Sequence, residues 1–272
     1  MKNQILNRVD LFSENKKIFD KAYKWDIEYM PVAAAAIVTA AGVLANTTKI
    51  AECEKILKKN TGWFSTLRGN SKIPLVAKMS MADDPEKYLN KVMNIYDLMT
   101  KDKLKGGEYR IIAAIAFADN VEFNNVDDYI LKTSEIYKKM AREHSILTSA
   151  EDIPFAALLS LMNKDVDWMI DDMEKSFTLL KKKFFSKDPV QSLTHILTLS
   201  SDTPEVKCEK VMNVFDGLKD SKHAFGTGHE LCALGTTALT SLSAQTLIDL
   251  ICMADDAITE KKCLGAFSFG KA

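Results

Sequence analysis

The segment VMNIYDLM at 92–99 returns as VMNVFDGL at 211–218, and TSEIYKKM (133–140) and MEKSFTLL (173–180) fill the same slot between them. With the central aromatic as marker, Tyr96, Tyr137, Phe177 and Phe215 recur about every 39 residues. The same step reaches Leu57 and Phe19 upstream and Ala254 downstream. A period of that length, sustained along a chain, means stacked supersecondary units, none of which can bury its apolar side without a neighbour.

The units are helical. Val166, Met169, Ile170, Met173, Phe177 and Leu180 form one apolar stripe at helical spacing, as do Val126, Tyr129, Ile130, Thr133, Tyr137 and Met140. Alternating strand patterns with hairpin turns are missing from the sequence. Each unit reads as a short apolar helix A followed by an amphipathic helix B that carries the marker. The A helices are expected at Pro31–Ala45, Ile73–Met81, Tyr109–Ala118, Pro154–Met162, Pro189–Leu199 and Glu230–Leu242. Asp84-Pro85-Glu86 and Thr203-Pro204-Glu205 place a capping side chain before a proline at the first helical position, and Asp188-Pro189 repeats the pattern. The expected fold is all-α, with helical hairpins forming an open α-α superhelix; a closed α/α toroid is the alternative. One repeat domain spans 1–272, with an N-terminal helix at 3–25 and two-helix units at about 30–60, 73–103, 109–143, 153–183, 189–221 and 230–260.

Of the 272 residues, 47% are apolar and 27% charged, an ordinary globular balance, and the net charge of −1 leaves no basic field for nucleic acid. The run Lys181-Lys182-Lys183 reads as a solvated helix face. Five cysteines are scattered without a C-x-x-C, which fits reduced thiols in a cytoplasmic protein. The N-terminus lacks an apolar core of the signal-peptide kind, and the uncharged run 29–48 is alanine-rich, so no membrane span is expected.

The stretch NTGWFSTLRGNSKIPLVAKMSMADDPEKYLNKVMNIYDLM (60–99), together with LLKKKFFSKDPVQSLTHILTLS (179–200), resembles the uncharacterised bacterial domain-of-unknown-function family 4003. The resemblance runs from Leu11 to Gly270 and is most specific around Arg68-Gly69-Asn70. It implies a bacterial, cytosolic, helical protein, and it carries over no catalytic residue. Family members continue past Gly270-Lys271 into another apolar helix. From that, the final segment KKCLGAFSFGKA reads as an unpaired unit through which the chain can self-associate.

Candidate chemistry is sparse. Gln191 and His195 share one helix face at i, i+4, and Asp152, Asp188, His229 and Glu230 fall at the same point of the repeat, the entrance to helix A. FGTGHE (225–230) places two glycines before a helix, a geometry that can offer backbone N–H groups to an anion, but it lacks the P-loop lysine. In LKGGEYR, Gly106 reads as a helix C-cap with positive φ. Trp63-Phe64, Phe184-Phe185 and Ile146-Leu147 occupy equivalent loops and read as apolar plugs, which leaves Arg68 and Asn70 as the distinctive part of their loop. The ligand-binding candidates are therefore Arg68, Asn70, Gln191, His195 and His229, with no catalytic residue, metal site or cofactor expected. The function expected is a binding or scaffolding module for a protein or peptide. The alternative is a small-molecule-binding protein or enzyme with a pocket at the helix A entrances.

Overall fold

The computed structural model describes residues 2–24, 29–62, 65–102, 104 and 106–261. Among these residues the regular structure is thirteen α-helices and four 3₁₀ turns, with no strand, so the protein is all-α. The helices are α1 (Lys2–Ala22), α2 (Tyr29–Ala40), α3 (Thr47–Asn60), α4 (Lys72–Met81), α5 (Pro85–Lys101), α6 (Gly107–Asn120) and α7 (Val126–Glu143). They continue with α8 (Ile153–Ser160), α9 (Val166–Leu180), α10 (Lys187–Leu197), α11 (Pro204–Asp220), α12 (Leu231–Leu234) and α13 (Ala244–Glu260). The chain divides into two compact units, 1–131 and 132–272, with the boundary inside α7. No helix among the described residues is long and apolar enough to cross a membrane.

In the first unit α1 packs on α2, α2 on α4, and α5 on α6. Asn15 fixes the end of α2. Its amide donates to Thr39 Oγ1 (3.0 Å) and to the Val43 carbonyl (2.9 Å), and its oxygen accepts from Ala45 N (2.7 Å). The helix stops at Ala40, short of the expected Ala45, because Gly42 turns the backbone left-handed at φ 74. In α4, Ile73, Pro74, Leu75, Val76 and Ala77 are all buried without interruption. The longer helices α5, α7, α9 and α11 each bury one stripe. The residue before each marker (Ile95, Ile136, Ser176, Val214) is 0% exposed, whereas Tyr96, Tyr137 and Phe215 are only half-buried at the stripe's flank.

A polar contact also recurs. Five residues before the marker, Lys91 reaches from α5 to the end of α6 and donates to the carbonyls of Ala118 (2.8 Å) and Val121 (3.0 Å). Lys132 makes the same reach from α7 to Met162 O (2.6 Å), and Lys210 from α11 to Thr240 O. A helix C-terminus leaves carbonyls without intrahelical donors and carries partial negative charge, so a cation there satisfies both. The equivalent position of α9 holds Asp172.

Several local expectations need correction. Asp84 caps α5 as expected, accepting from Lys87 N at 2.9 Å, but Thr203 precedes Pro204 without any side-chain cap bond. α10 begins at Lys187, which puts Asp188 and Pro189 inside its first turn, where a missing N–H costs nothing. Gly106 has an extended φ of 177; the left-handed residue is Gly107, at φ 43. The expected helix from Glu230 to Leu242 is instead the four-residue α12 followed by a 3₁₀ turn at Gly235–Leu239. Thr236 and Thr237 bond back to the carbonyls of Ala233 and Leu234, both at 2.7 Å, and Gly235 lies so close to α10 that a Cβ would meet Ile196 at 2.9 Å. Trp63 and Phe64, and the final segment from residue 262 with Cys263, lie outside the described residues, so the plug at 63–64 and the terminal self-association surface lie there too.

Candidate functional site

A buried polar cluster lies in the second unit, where the turn after α7 meets α10. Ser149 and Asp152 form a capping box around the 3₁₀ turn Ala150–Asp152, with Asp152 Oδ2 accepting from Ser149 N at 2.8 Å. That bond turns the other carboxylate oxygen inward, where Oδ1 lies 3.4 Å from His195 Nδ1. Asp152 is 5% exposed, Gln191 4% and His195 1%. Gln191 donates its amide to Thr148 Oγ1 (3.0 Å), which ties the 144–149 turn onto α10.

Two atoms of this cluster have no hydrogen-bond partner among the described residues, Gln191 Oε1 and His195 Nδ1. Burial pushes the Asp152 carboxyl up to about 6, with Asp188 and Glu151 adding repulsion against its charge and the Ser149 N–H partly offsetting both. Burial pushes the His195 imidazole down to about 3, helped by the nearby His144. At neutral pH the cluster therefore holds a carboxylate beside a neutral imidazole. Phe155 packs on His195 with ring centroids 5.4 Å apart, and Phe177 on His144 at 4.7 Å. His144 Nε2 also lies 2.8 Å from Glu174 Oε1.

A second buried group lies in the same unit. Asp172 Oδ2 accepts from Lys207 Nζ (2.5 Å) and from Thr198 Oγ1 (2.9 Å), with Asp172 3% and Lys207 0% exposed. Every charge here has its partner, so this group holds α9, α10 and α11 together and offers no open valence.

The chain matches the family described as "Protein of unknown function (DUF4003)" over residues 15–272. It belongs to the DUF4003 family. The uncharacterized protein YeaA of Bacillus subtilis (strain 168) is 22% identical over 210 residues, which are 75% of this chain and 63% of that relative's own length. No solved structure matches the chain.

In this DUF4003 chain the sequence candidates separate. Arg68 and Asn70 lie in the first unit; Gln191, His195 and His229 lie in the second. Arg68 braces the end of α3, donating Nε to Thr61 Oγ1 (2.9 Å) and Nη2 to the carbonyls of Lys58 and Thr61. Asn70 contributes its backbone N–H, which donates to Glu108 Oε1 at 3.0 Å. His229 is exposed in the turn before α12, where its carbonyl accepts from the Cys232 thiol (3.2 Å). At the glycines of FGTGHE the protein supplies its own carboxylate: Glu230 Oε1 accepts from Gly228 N at 3.2 Å and lies where a Gly226 Cβ would be, 1.5 Å away.

Thr148, His144 and Lys207 were not singled out from the sequence. Thr148 lies 43 residues from Gln191, and nothing local signals that contact. Lys207 did carry a signal, since a lysine at that point of α11 falls among the apolar positions of the stripe. Nucleophile chemistry is disfavoured at the buried thiols, because burial pushes Cys53 and Cys208 up to about 11. Among the described residues no group of three His, Cys, Asp or Glu side chains is placed to hold a metal ion.

Proposed function

We propose that this protein is a binding module of stacked helical hairpins that takes a protein or peptide partner along the loop edge of its second unit. The observation that carries this reading is the exposure of Phe185 (102%) and Ile146 (94%) on the loops that follow α9 and α7. In the loop after α9, Phe184 is buried and serves as the plug, while Phe185 projects into solvent. In the loop after α7, Leu147 packs on the core and Ile146 projects. Both loops meet α10, one through the Gln191–Thr148 bond and the other through direct connection. Single exposed apolar side chains are ordinary on a surface; what supports the reading is that both stand on loops that meet α10.

Lys181, Lys182 and Lys187 are exposed around Phe185, which favours a partner offering an apolar socket with an acidic rim. The hairpins are read as one repeat domain in an open α-α superhelix, and the lysine contacts recurring at Lys91, Lys132 and Lys210 support that reading. The test is affinity capture from a native lysate with the wild type and a Phe185→Ser, Ile146→Ser double variant. A stoichiometric acidic partner, lost in the double variant while its melting temperature stays unchanged, is expected. Capture that is identical for both proteins, or that returns no stoichiometric partner, removes the reading.

A further inference from the structure

α13 departs from the other long helices at the positions where they agree. The residue before the marker is 0% exposed in α5, α7, α9 and α11, and the residue three after it (Met99, Met140, Leu180, Leu218) is at most 2% exposed. In α13 these positions hold Met253 and Ala257, one turn apart on a single stripe, and both are only half-buried. The slot five before the marker, from which Lys91, Lys132 and Lys210 reach the end of the following helix, holds Asp249 here, and it is exposed. Unlike the other four, α13 carries no lysine, arginine or histidine. Asp249, Asp256 and Glu260, all exposed, lie three or four residues from Met253 or Ala257 and line one side of the stripe. Asp255 is turned away to His223 Nδ1, 2.7 Å distant.

We infer that the Met253–Ala257 face of α13 takes the Phe185 loop of a second copy of this chain. The two surfaces are complementary in charge. KKKFFSK (181–187) carries four lysines and no acid, and Lys181, Lys182 and Lys187 are exposed around the fully projecting Phe185. Lys183 is held by Asp216 of its own chain. At the centre of the contact an aromatic ring meets a methionine, whose flexible thioether adapts to a ring edge. At its rim three lysines meet three carboxylates, which sets the register and favours encounter. Loop and helix are different surfaces, so the contact is heterologous, and a pair of copies keeps one surface of each kind for further copies. The inference rests on the reading of the Phe185 edge as a docking surface and names an occupant for it.

Sedimentation velocity of the full chain across a concentration series tests it. The wild type should form species heavier than the monomer, and raising salt from about 0.05 to about 0.5 M should weaken the association roughly tenfold. Phe185→Ser and Met253→Asp should each stay monomeric alone. Their equimolar mixture should give a 1:1 dimer, because the Phe185 loop of the second variant meets the intact α13 of the first. Should Met253→Asp fail to fold, Asp256→Lys with Glu260→Lys, both at exposed positions, replaces it. A monomeric wild type, an assembly that survives either variant, an association unmoved by salt, or a mixture no heavier than its components overturns the pairing. The lysate capture fails separately. A monomeric wild type overturns the pairing alone and leaves the loop edge to a foreign partner, whereas an empty capture beside an intact mixed dimer removes the foreign partner alone.

Discussion

His195 and Asp152 face each other 3.4 Å apart inside the second unit, and burial moves their protonation equilibria in opposite directions. Asp152 titrates near 6 when folded against 3.8 as its ordinary value, so the stability it contributes is complete below about pH 4 and lost as pH rises through 6. His195 titrates near 3 against 6.5, so its contribution is present above pH 6.5 and lost as pH falls toward 3. Between pH 4 and 6 each has a slope of about 1.4 kcal/mol per pH unit, and the slopes oppose. In effect folding moves one proton from imidazole to carboxyl. Asp152→Asn should therefore lose stability relative to wild type as pH falls from 6.5 to 4, and His195→Gln should gain it. Urea unfolding at four pH values across that window reads the two trends, and parallel trends would remove the account. Glu151, Asp188 and His144 contribute to the two shifts, so their share disappears together with the residue that is replaced.

Asp172 and Lys207 form a pair of the other kind, satisfied on both sides. Removing one partner strands a buried charge, which costs about 3–5 kcal/mol, while replacing both by apolar side chains is often near neutral. Lys207→Met should therefore be severely destabilising, and Lys207→Met with Asp172→Leu should recover most of the loss. Thr198 tolerates the double change because its hydroxyl can turn to Thr194 O, 3.0 Å away. Denaturant midpoints of the two variants decide this; a double variant no better than the single one counts against it.

The lysine contacts predict a graded series. Lys91→Met leaves two carbonyls, those of Ala118 and Val121, without their donor. Lys132→Met leaves one, that of Met162. At about 1 kcal/mol for a typical hydrogen bond, and somewhat more when the donor is charged, Lys91→Met should cost about 2–3 kcal/mol and Lys132→Met about half of that. Lys101→Met, at the exposed end of α5, should stay within about 0.5 kcal/mol. Thermal unfolding of the three variants gives the order, and equal losses at Lys91 and Lys101 would refute it.

The helices were legible because each needs only its own 3.6-residue pattern, as the stripes through Val166 and Val126 show. Ala41-Gly42 and Gly235-Thr236-Thr237 defeated the same reading, since there a left-handed turn and side-chain bonds to the preceding turn end the helix inside an apolar run. Gln191 and His195 could be placed on one face from spacing alone. That Asp152 meets His195, rather than His229 or Glu230, depends on how neighbouring hairpins pack, which no local pattern encodes. The lysine five residues before the marker was visible in KVMNIY, KTSEIY and KVMNVF. Its purpose was not, because its acceptors lie about 30 residues further along the chain.

The loop TLRGN is explained by a contact of the same range. Gly69 has an ordinary φ of −72, so it is not needed for backbone conformation. It is needed for space. A Cβ there would stand 2.1 Å from Glu108 Oε1, the atom that accepts from Asn70 N, and 3.1 Å from the Thr66 carbonyl. Gly69→Ala must push the Glu108 carboxylate away and break that charge-assisted bond, at a cost of about 1.5–3 kcal/mol. Glu108→Ala loses the same bond by another route. With Glu108 already shortened, the added methyl group meets only the Thr66 carbonyl, so Gly69→Ala in that background should cost about 1 kcal/mol less than in the wild type. A double-mutant cycle by urea unfolding measures the coupling, and strict additivity would mean that Gly69 is present for some other reason.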